Sequence, residues 1–402
     1  MSIVSILQKT TVESLTAIYN QPFTDGDFQI NQTKPEVDGA YTVVLFSLVK
    51  SLKAPPDVIG TKLGGHLVKN YPEFIISFNI IKGFLNLSIS NTYWLTLLNN
   101  NYNDICYGKK EMKGKKVMVE YSSPNTNKPL HLGHLRNIFL GWSVSEILQA
   151  NGYEVIKSCI VNDRGIHICK SMLAWEMYGN GATPQSTKTK GDHFVGEYYV
   201  KFNEVYKNEV AELKKTGIAE KDAEKEVEII KRTQQMLLDW EAGKTEVMEL
   251  WKKMNGWVYE GFDTTYKRIG VCFDKVYYES GTYLLGKDIV QQGMEKKVFY
   301  QKTDGSIWID LTTDGLDEKI VQRSDGTSVY ITQDIGLALQ KYEQYKIDHS
   351  IYVIGNEQNY HMKVLKLICQ KLGMPNADNI FHLSYGMVEL TSGKMKSREG
   401  TV

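Results

Sequence analysis

Two histidines three residues apart, His131 and His134, flank a glycine in the string His131-Leu132-Gly133-His134. Side chains at that spacing share one side of a helix's first turn, so both rings can reach the same point. The glycine lets a ligand come close to the backbone. An imidazole can donate a hydrogen bond to an oxygen on which charge is building. Together these residues suit a phosphate group in the course of reaction. The flanking sequence says where such a group would sit. Val117–Tyr121 is a short apolar run with β-branched residues, the pattern of a buried strand. Ser122–Leu130 is a polar connection that holds Pro124 and Pro129. From His131 onward, Leu132, Leu135, Ile138, Phe139 and Trp142 recur at helical spacing. A strand that hands over to a helix N-terminus offers an anion free N–H groups and the positive end of the helix dipole.

The elements that must hold this junction can be read in chain order. A helix over Leu132–Ala150 ends at Asn151-Gly152, and Tyr153–Val161 reads as a second strand. Strand, helix, strand implies a parallel sheet. Asn162-Asp163-Arg164-Gly165 lies just past that strand, on the face where open α/β sheets take ligands, so Asp163 is either a site residue or a helix cap. Residues 1–108 read as a separate small α/β domain. Its helices are expected near 3–18, 40–52 and 63–70, its hairpin turns at Lys82-Gly83, and a further helix is expected over 93–98. Residues 109–402 form the second domain. An all-helical insertion is expected over about 180–270, because mixed charge and a 3–4 apolar stripe replace the α/β alternation there. Short strand-like pieces with glycine turns over about 276–325 read as a connective insertion. Strand, helix and strand then return at 350–354, 358–372 and 380–390.

Composition narrows the class without naming the function. The chain has 402 residues, enough for two or three domains, and an apolar fraction of 42% that fits a soluble globular protein. No run is long enough to span a membrane and no secretory leader is visible, so a cytoplasmic protein is expected. The five cysteines are odd in number and form no C-x-x-C pair, which speaks against disulfides and zinc. A formal net charge of zero neither suggests nor excludes a nucleic-acid partner, since a local basic face is what binds.

The string from Val119 to Asn137, VEYSSPNTNKPLHLGHLRN, resembles the HIGH-motif segment of class I arginyl-tRNA synthetases. The segment Gly393–Arg398, GKMKSR, resembles the mobile KMSKS loop of the same class. Ser397 stands where that loop has its second lysine. Arginyl enzymes often lack that lysine, and one just before the HIGH motif substitutes for it; Lys128 occupies this place. The resemblance implies a Rossmann-like catalytic domain with helical and connective insertions, behind a small α/β N-terminal domain that touches tRNA. It implies activation of L-arginine by ATP to arginyl-adenylate, then transfer of arginine to the 3′ end of tRNA(Arg). Magnesium is expected to come with ATP, without a metal cage in the protein and without zinc. The chain is expected to be a monomer that does not engage membranes.

Residue roles follow from the resemblance. Lys128, His131, His134, Lys394 and Lys396 are the expected catalytic groups, and His131, Gly133, His134 and Lys394 bind ATP. Glu120, Ser123, Asn125, His134, Tyr330, Asp334 and Gln358 are expected around arginine. Asp334 grips the guanidinium, since a carboxylate matches its fork and rejects lysine. Tyr330 lies beside it, and Glu120 offers a second carboxylate. Ser123 and Asn125 take the amino and carboxylate end. His361, close to Gln358, reads as a structural histidine.

The family continues beyond this point with a helical anticodon-binding domain, which is absent from these 402 residues, so little or no activity is expected of this chain alone. A non-catalytic tRNA-binding paralogue and another H-x-G-H nucleotidyltransferase are the alternatives. A cysteinyl enzyme would need zinc-ligating thiolates, and the cysteines are wrongly spaced for that.

Overall fold

The computed structural model describes residues 2–391 and 393–395. The chain divides into two compact units, Met1–Gly108 and Lys109–Val402.

The first unit packs helices Ile3–Tyr19 and Pro56–Asn70 on a four-stranded antiparallel sheet in the order Gln29–Gln32, Tyr41–Val44, Phe84–Ile89, Ile75–Ile81. Leu7, Leu15, Leu63, Leu67, Leu85 and Leu87 form its buried centre. The hairpin turns at Lys82 and Gly83, both with positive φ. The single helix expected over 40–52 is a strand, Tyr41–Val44, followed by a short helix, Phe46–Leu52. The run Tyr41-Thr42-Val43-Val44 fills both faces of a central strand, and two neighbouring strands satisfy its backbone.

The second unit is built on five parallel strands in the order Ile380–Tyr385, His349–Gly355, Lys116–Glu120, Glu154–Val161, Lys275–Tyr278. The opening strand therefore lies in the middle, and the strand order reverses between it and His349–Gly355. At such a switch point the crevice beyond the carboxyl ends takes the ligand. The Lys275–Tyr278 strand falls within the span expected to open the connective insertion, but it closes the main sheet by pairing with Ser158–Val161. Beyond it in the chain lies a small antiparallel sheet of Tyr300–Gln301, Ile307–Ile309 and Lys319–Gln322. The final strand is shorter than expected. It ends at Tyr385, and Glu389–Leu390 pairs instead with Gly393–Lys394.

Helices Ile166–Tyr178, Gly191–Lys215, Glu228–Glu241 and Thr245–Ile269 make the helical insertion around Met172, Phe194, Met236 and Trp257. Asp163 joins it to the sheet. Its buried carboxylate accepts from the Tyr259 hydroxyl (2.8 Å) and from the Ser280 N–H and hydroxyl (2.8 and 2.7 Å). The following helix is capped by Gly165, so Asp163 is a structural hub rather than a cap.

Candidate active site

The opening strand ends at Glu120, and the chain turns through Ser122 and Ser123, both at positive φ (71° and 43°). Two successive side-chain-bearing residues in this region are strained, and the surroundings must hold them there. Asn137 does so. Its Oδ1 accepts from the Ser122 N–H (2.5 Å), and its Nδ2 donates to the Val353 carbonyl (2.6 Å) and the Tyr385 hydroxyl (2.9 Å). The Ser122 hydroxyl pairs with that of Tyr266 at 2.7 Å. Asn125 then bridges to Asn162 alongside the next strand. One buried amide thus ties the turn to the neighbouring strand across the switch point. Nothing in the sequence pattern distinguishes Asn137, since its partners are remote in the chain.

The helix Leu132–Ala150 begins with a reciprocal cap. His131 Nδ1 accepts from the Gly133 N–H, and His134 Nδ1 accepts from the His131 N–H, both at 3.1 Å. A nitrogen that accepts carries no proton, so in the neutral rings the proton is on Nε2. The ring centroids lie 4.0 Å apart. Burial and then the Lys128 ammonium lower His131 to about 4. Burial, then His131 and Lys128, lower His134 to about 3. Both rings are therefore neutral donors through Nε2 at physiological pH. A Cβ on Gly133 would lie 2.9 Å from the His131 ring, so the cap excludes a side chain there. Met395, from the lysine-rich segment, approaches the same point to 3.6 Å. The Nε2 signals of both histidines in a nitrogen-15 NMR titration are expected to hold their neutral positions from pH 8 down to pH ~5. A midpoint near 6.5 in either would overturn this assignment.

A cavity of about 190 Å³ opens at the carboxyl end of the opening strand, bounded by Glu120, Asp334, Gln358, His361, Lys341 and Tyr352 among others. Asp334 projects from the helix Tyr330–Tyr345, and Gln358 ends the short turn after the His349–Gly355 strand. Three of the residues expected around arginine, Glu120, Asp334 and Gln358, therefore meet. Ser123, Asn125, His134 and Tyr330 do not line this cavity. Tyr330 opens the Asp334 helix and is 75% exposed. Glu120 differs from expectation in its chemistry: its carboxylate is bound by the Lys341 ammonium, and both groups are buried. Its charge is already balanced by Lys341, although it lines the cavity.

A further acid near the carboxyl end of the sheet, Glu279, did not stand out in the sequence, whose reading assigned its strand to the insertion. Glu279 follows the edge strand at the carboxyl end of the sheet. Burial raises its carboxyl to about 7, with Arg164 opposing and the like charges of Asp163 and Asp334 adding to the rise. A half-buried acid whose pKa is raised in this way is a candidate site group, and it lies outside the residues that line the cavity. His361, read as structural, donates from Nε2 to Asp334 Oδ2 at 2.7 Å. Lys394 lies in the terminal hairpin, while its side chain and the whole of Lys396 fall outside the described residues. A larger cavity of about 320 Å³ lies at the opposite end of the sheet, near the first residues of three strands. It gathers none of these groups.

The family profile described as "tRNA synthetases class I (R), catalytic domain" matches residues 96–402. The arginine–tRNA ligase of Amoebophilus asiaticus is 52% identical over 402 residues, covering all of this chain and 67% of that protein. That of Bacteroides thetaiotaomicron is 52% identical over 404 residues, covering all of this chain and 68% of that protein. Among solved structures, the arginyl-tRNA synthetase of Thermus thermophilus shares the fold at a TM-score of 0.64 and 21% identity, over 100% of this chain and 68% of that one. The Plasmodium falciparum enzyme does so at 0.60 and 16%, over 96% and 65%. A strand–helix junction capped by two histidines and a cavity that holds Asp334 lie in one parallel-sheet domain, and relatives half identical along the whole chain fix its place: it belongs to the arginine–tRNA ligase family of class I aminoacyl-tRNA synthetases, which use ATP to activate arginine and charge tRNA with it.

Proposed function

We propose that the two halves of this site divide the family's reaction between them. The observation that carries the reading is that Glu120, the last residue of the strand that leads into the His131–His134 turn, lines the same cavity as Asp334 and Gln358. In the first step an oxygen of the arginine carboxylate bonds to the α-phosphorus of ATP, and the bond to the β-phosphate oxygen breaks to release pyrophosphate. Charge spreads over the phosphate oxygens as this happens, so fixed donors in a dry site lower the barrier. The Nε2–H groups of His131 and His134 donate to the α-phosphate, the backbone at Gly133 lies alongside, and Lys128 supplies positive charge. Lys394 and Lys396 take the departing pyrophosphate. Magnesium comes on the phosphate oxygens, which suit a hard cation. In the second step the terminal ribose hydroxyl of tRNA(Arg) attacks the adenylate carbonyl, losing its proton as AMP leaves.

Asp334 and Glu279 receive the guanidinium, while Tyr330 covers it from the solvent side. Gln358, Ser123 and Asn125 hold the amino and carboxylate end. The chain works as a cytoplasmic monomer. This fits five cysteines that are all free and, among the described residues, no helix long and apolar enough to cross a membrane. Pyrophosphate exchange driven by each amino acid in turn, with and without tRNA(Arg), tests the reading. Among amino acids only arginine is expected to drive exchange, at a low level or not at all in these 402 residues alone, and exchange driven by another amino acid would overturn the reading.

The first unit is assigned to tRNA. Phe84 on its sheet and Phe46 at the start of the short helix stand exposed with their rings 5.5 Å apart, and Phe84 and Lys82 line a cavity of about 320 Å³. An aromatic face edged by lysine can stack an unpaired base. Phe84→Ala is expected to weaken tRNA(Arg) binding by about 1–3 kcal/mol, read by filter binding, with arginine affinity unchanged.

A further inference from the structure

We infer that His361 is a positioning residue that fixes the orientation of the Asp334 carboxylate, so that the cavity favours a guanidinium over an ammonium. The inference rests on the assignment of Asp334 to the guanidinium. The two residues sit on different helices, Tyr330–Tyr345 and Asn359–Lys371, and the imidazole spans the gap between them. A carboxylate only accepts, so Nε2–H donates to Oδ2 at 2.7 Å. Among the described residues this is the one hydrogen bond shown to the Asp334 carboxylate. The cavity walls also include the apolar side chains of Leu337, Ile354, Met362 and Leu365, and its polar members Glu120 and Lys341 are bound to each other. The terminal torsion of an aspartate is broad and roughly two-fold, so without His361 the carboxylate can turn.

Orientation matters differently to the two cations. A guanidinium is planar, and its donors leave in fixed directions. It needs Oδ1 in its plane if a second nitrogen is to reach Glu279. An ammonium has three rotatable donors and accepts a carboxylate at almost any angle. Holding Oδ2 therefore helps arginine and does little for lysine. Met362 and Leu365, on the same helix, line the cavity too, so the helix that carries the clamp also shapes the space beside it.

The experiment compares the 402-residue chain with His361→Leu, His361→Gln and Asp334→Asn by titration calorimetry with arginine and with ATP. Lysine affinity is measured by competition against arginine. His361→Leu is expected to weaken arginine about tenfold and lysine much less, with ATP affinity unchanged. His361→Gln places an amide N–H near the lost Nε2–H and is expected to restore arginine affinity and selectivity. If His361→Leu keeps the arginine-to-lysine ratio while Asp334→Asn destroys arginine binding, the inference is wrong and the Asp334 assignment stands. If His361→Leu weakens arginine, lysine and ATP alike without rescue by Gln, the residue is structural and the inference fails. Unchanged arginine affinity in Asp334→Asn, or no arginine binding by the parent chain, would overturn the underlying assignment itself.

Discussion

Asp334→Asn is expected to weaken arginine binding about a hundredfold, the scale of a lost charge-assisted contact in a partly buried site. ATP affinity should stay the same, since the nucleotide is assigned to the His131–His134 junction. The second acid, Glu279, gives the same binding event a pH dependence. Without ligand its carboxyl is raised to about 7, first by burial, then by Asp163 and Asp334 against the opposing Arg164. Below that pH it is neutral and attracts no cation. A bound guanidinium favours the ionised form and lowers its pKa. Arginine affinity is therefore full above pH ~8, and it falls by up to about tenfold per unit as pH drops below 7, until the pKa of the bound state is reached. Calorimetry in buffers of different ionisation enthalpy should detect up to one proton released per arginine bound at pH 6. Glu279→Gln should abolish that release and flatten the profile. A profile in the parent chain that is flat between pH 6 and 8 would overturn the assignment of Glu279.

The parts of this site that could be read from the sequence are those set by neighbours in the chain. The helix Leu132–Ala150 and the strand–helix–strand unit follow from local periodicity, and the structure places them within a residue of expectation. Asp334 and Gln358 could be singled out only through family resemblance, because nothing in their own surroundings marks them. The hidden parts depend on contacts between distant segments. Lys341 is 221 residues from Glu120, and its helix reads as an ordinary amphipathic one. Glu279 was obscured because a four-residue strand at a sheet edge looks like the short strands of the insertion next to it in the chain. Tyr41–Val44 shows the same limit: an apolar run before a helix fits either state until the pairing partners are known.

The buried pair of Glu120 and Lys341 leads to a prediction whose sign separates structure from recognition. Their side chains are 8% and 2% exposed, and the pair joins the central strand to the helix that carries Asp334. Lys341 also lies 4.8 Å from the Tyr352 ring and 5.7 Å from that of Tyr277. Removing either partner strands a charge in this apolar setting. Glu120→Leu and Lys341→Met should each destabilise the chain by about 3–5 kcal/mol, measured by urea unfolding. The double variant replaces both with apolar groups and should recover most of that loss. Arginine binding should respond with opposite signs. Glu120→Leu leaves an unpaired ammonium beside the arriving guanidinium, and arginine affinity should fall at least about tenfold. Lys341→Met leaves a carboxylate there, and affinity should hold or rise although the protein is weaker. The double variant should bind arginine nearly as the parent does, since the pair it removes carries no net charge. Had Glu120 been a direct ligand, the double variant would lose arginine along with the carboxylate. That loss, in a double variant shown to be folded, would restore Glu120 to the substrate and leave Lys341 as its structural partner.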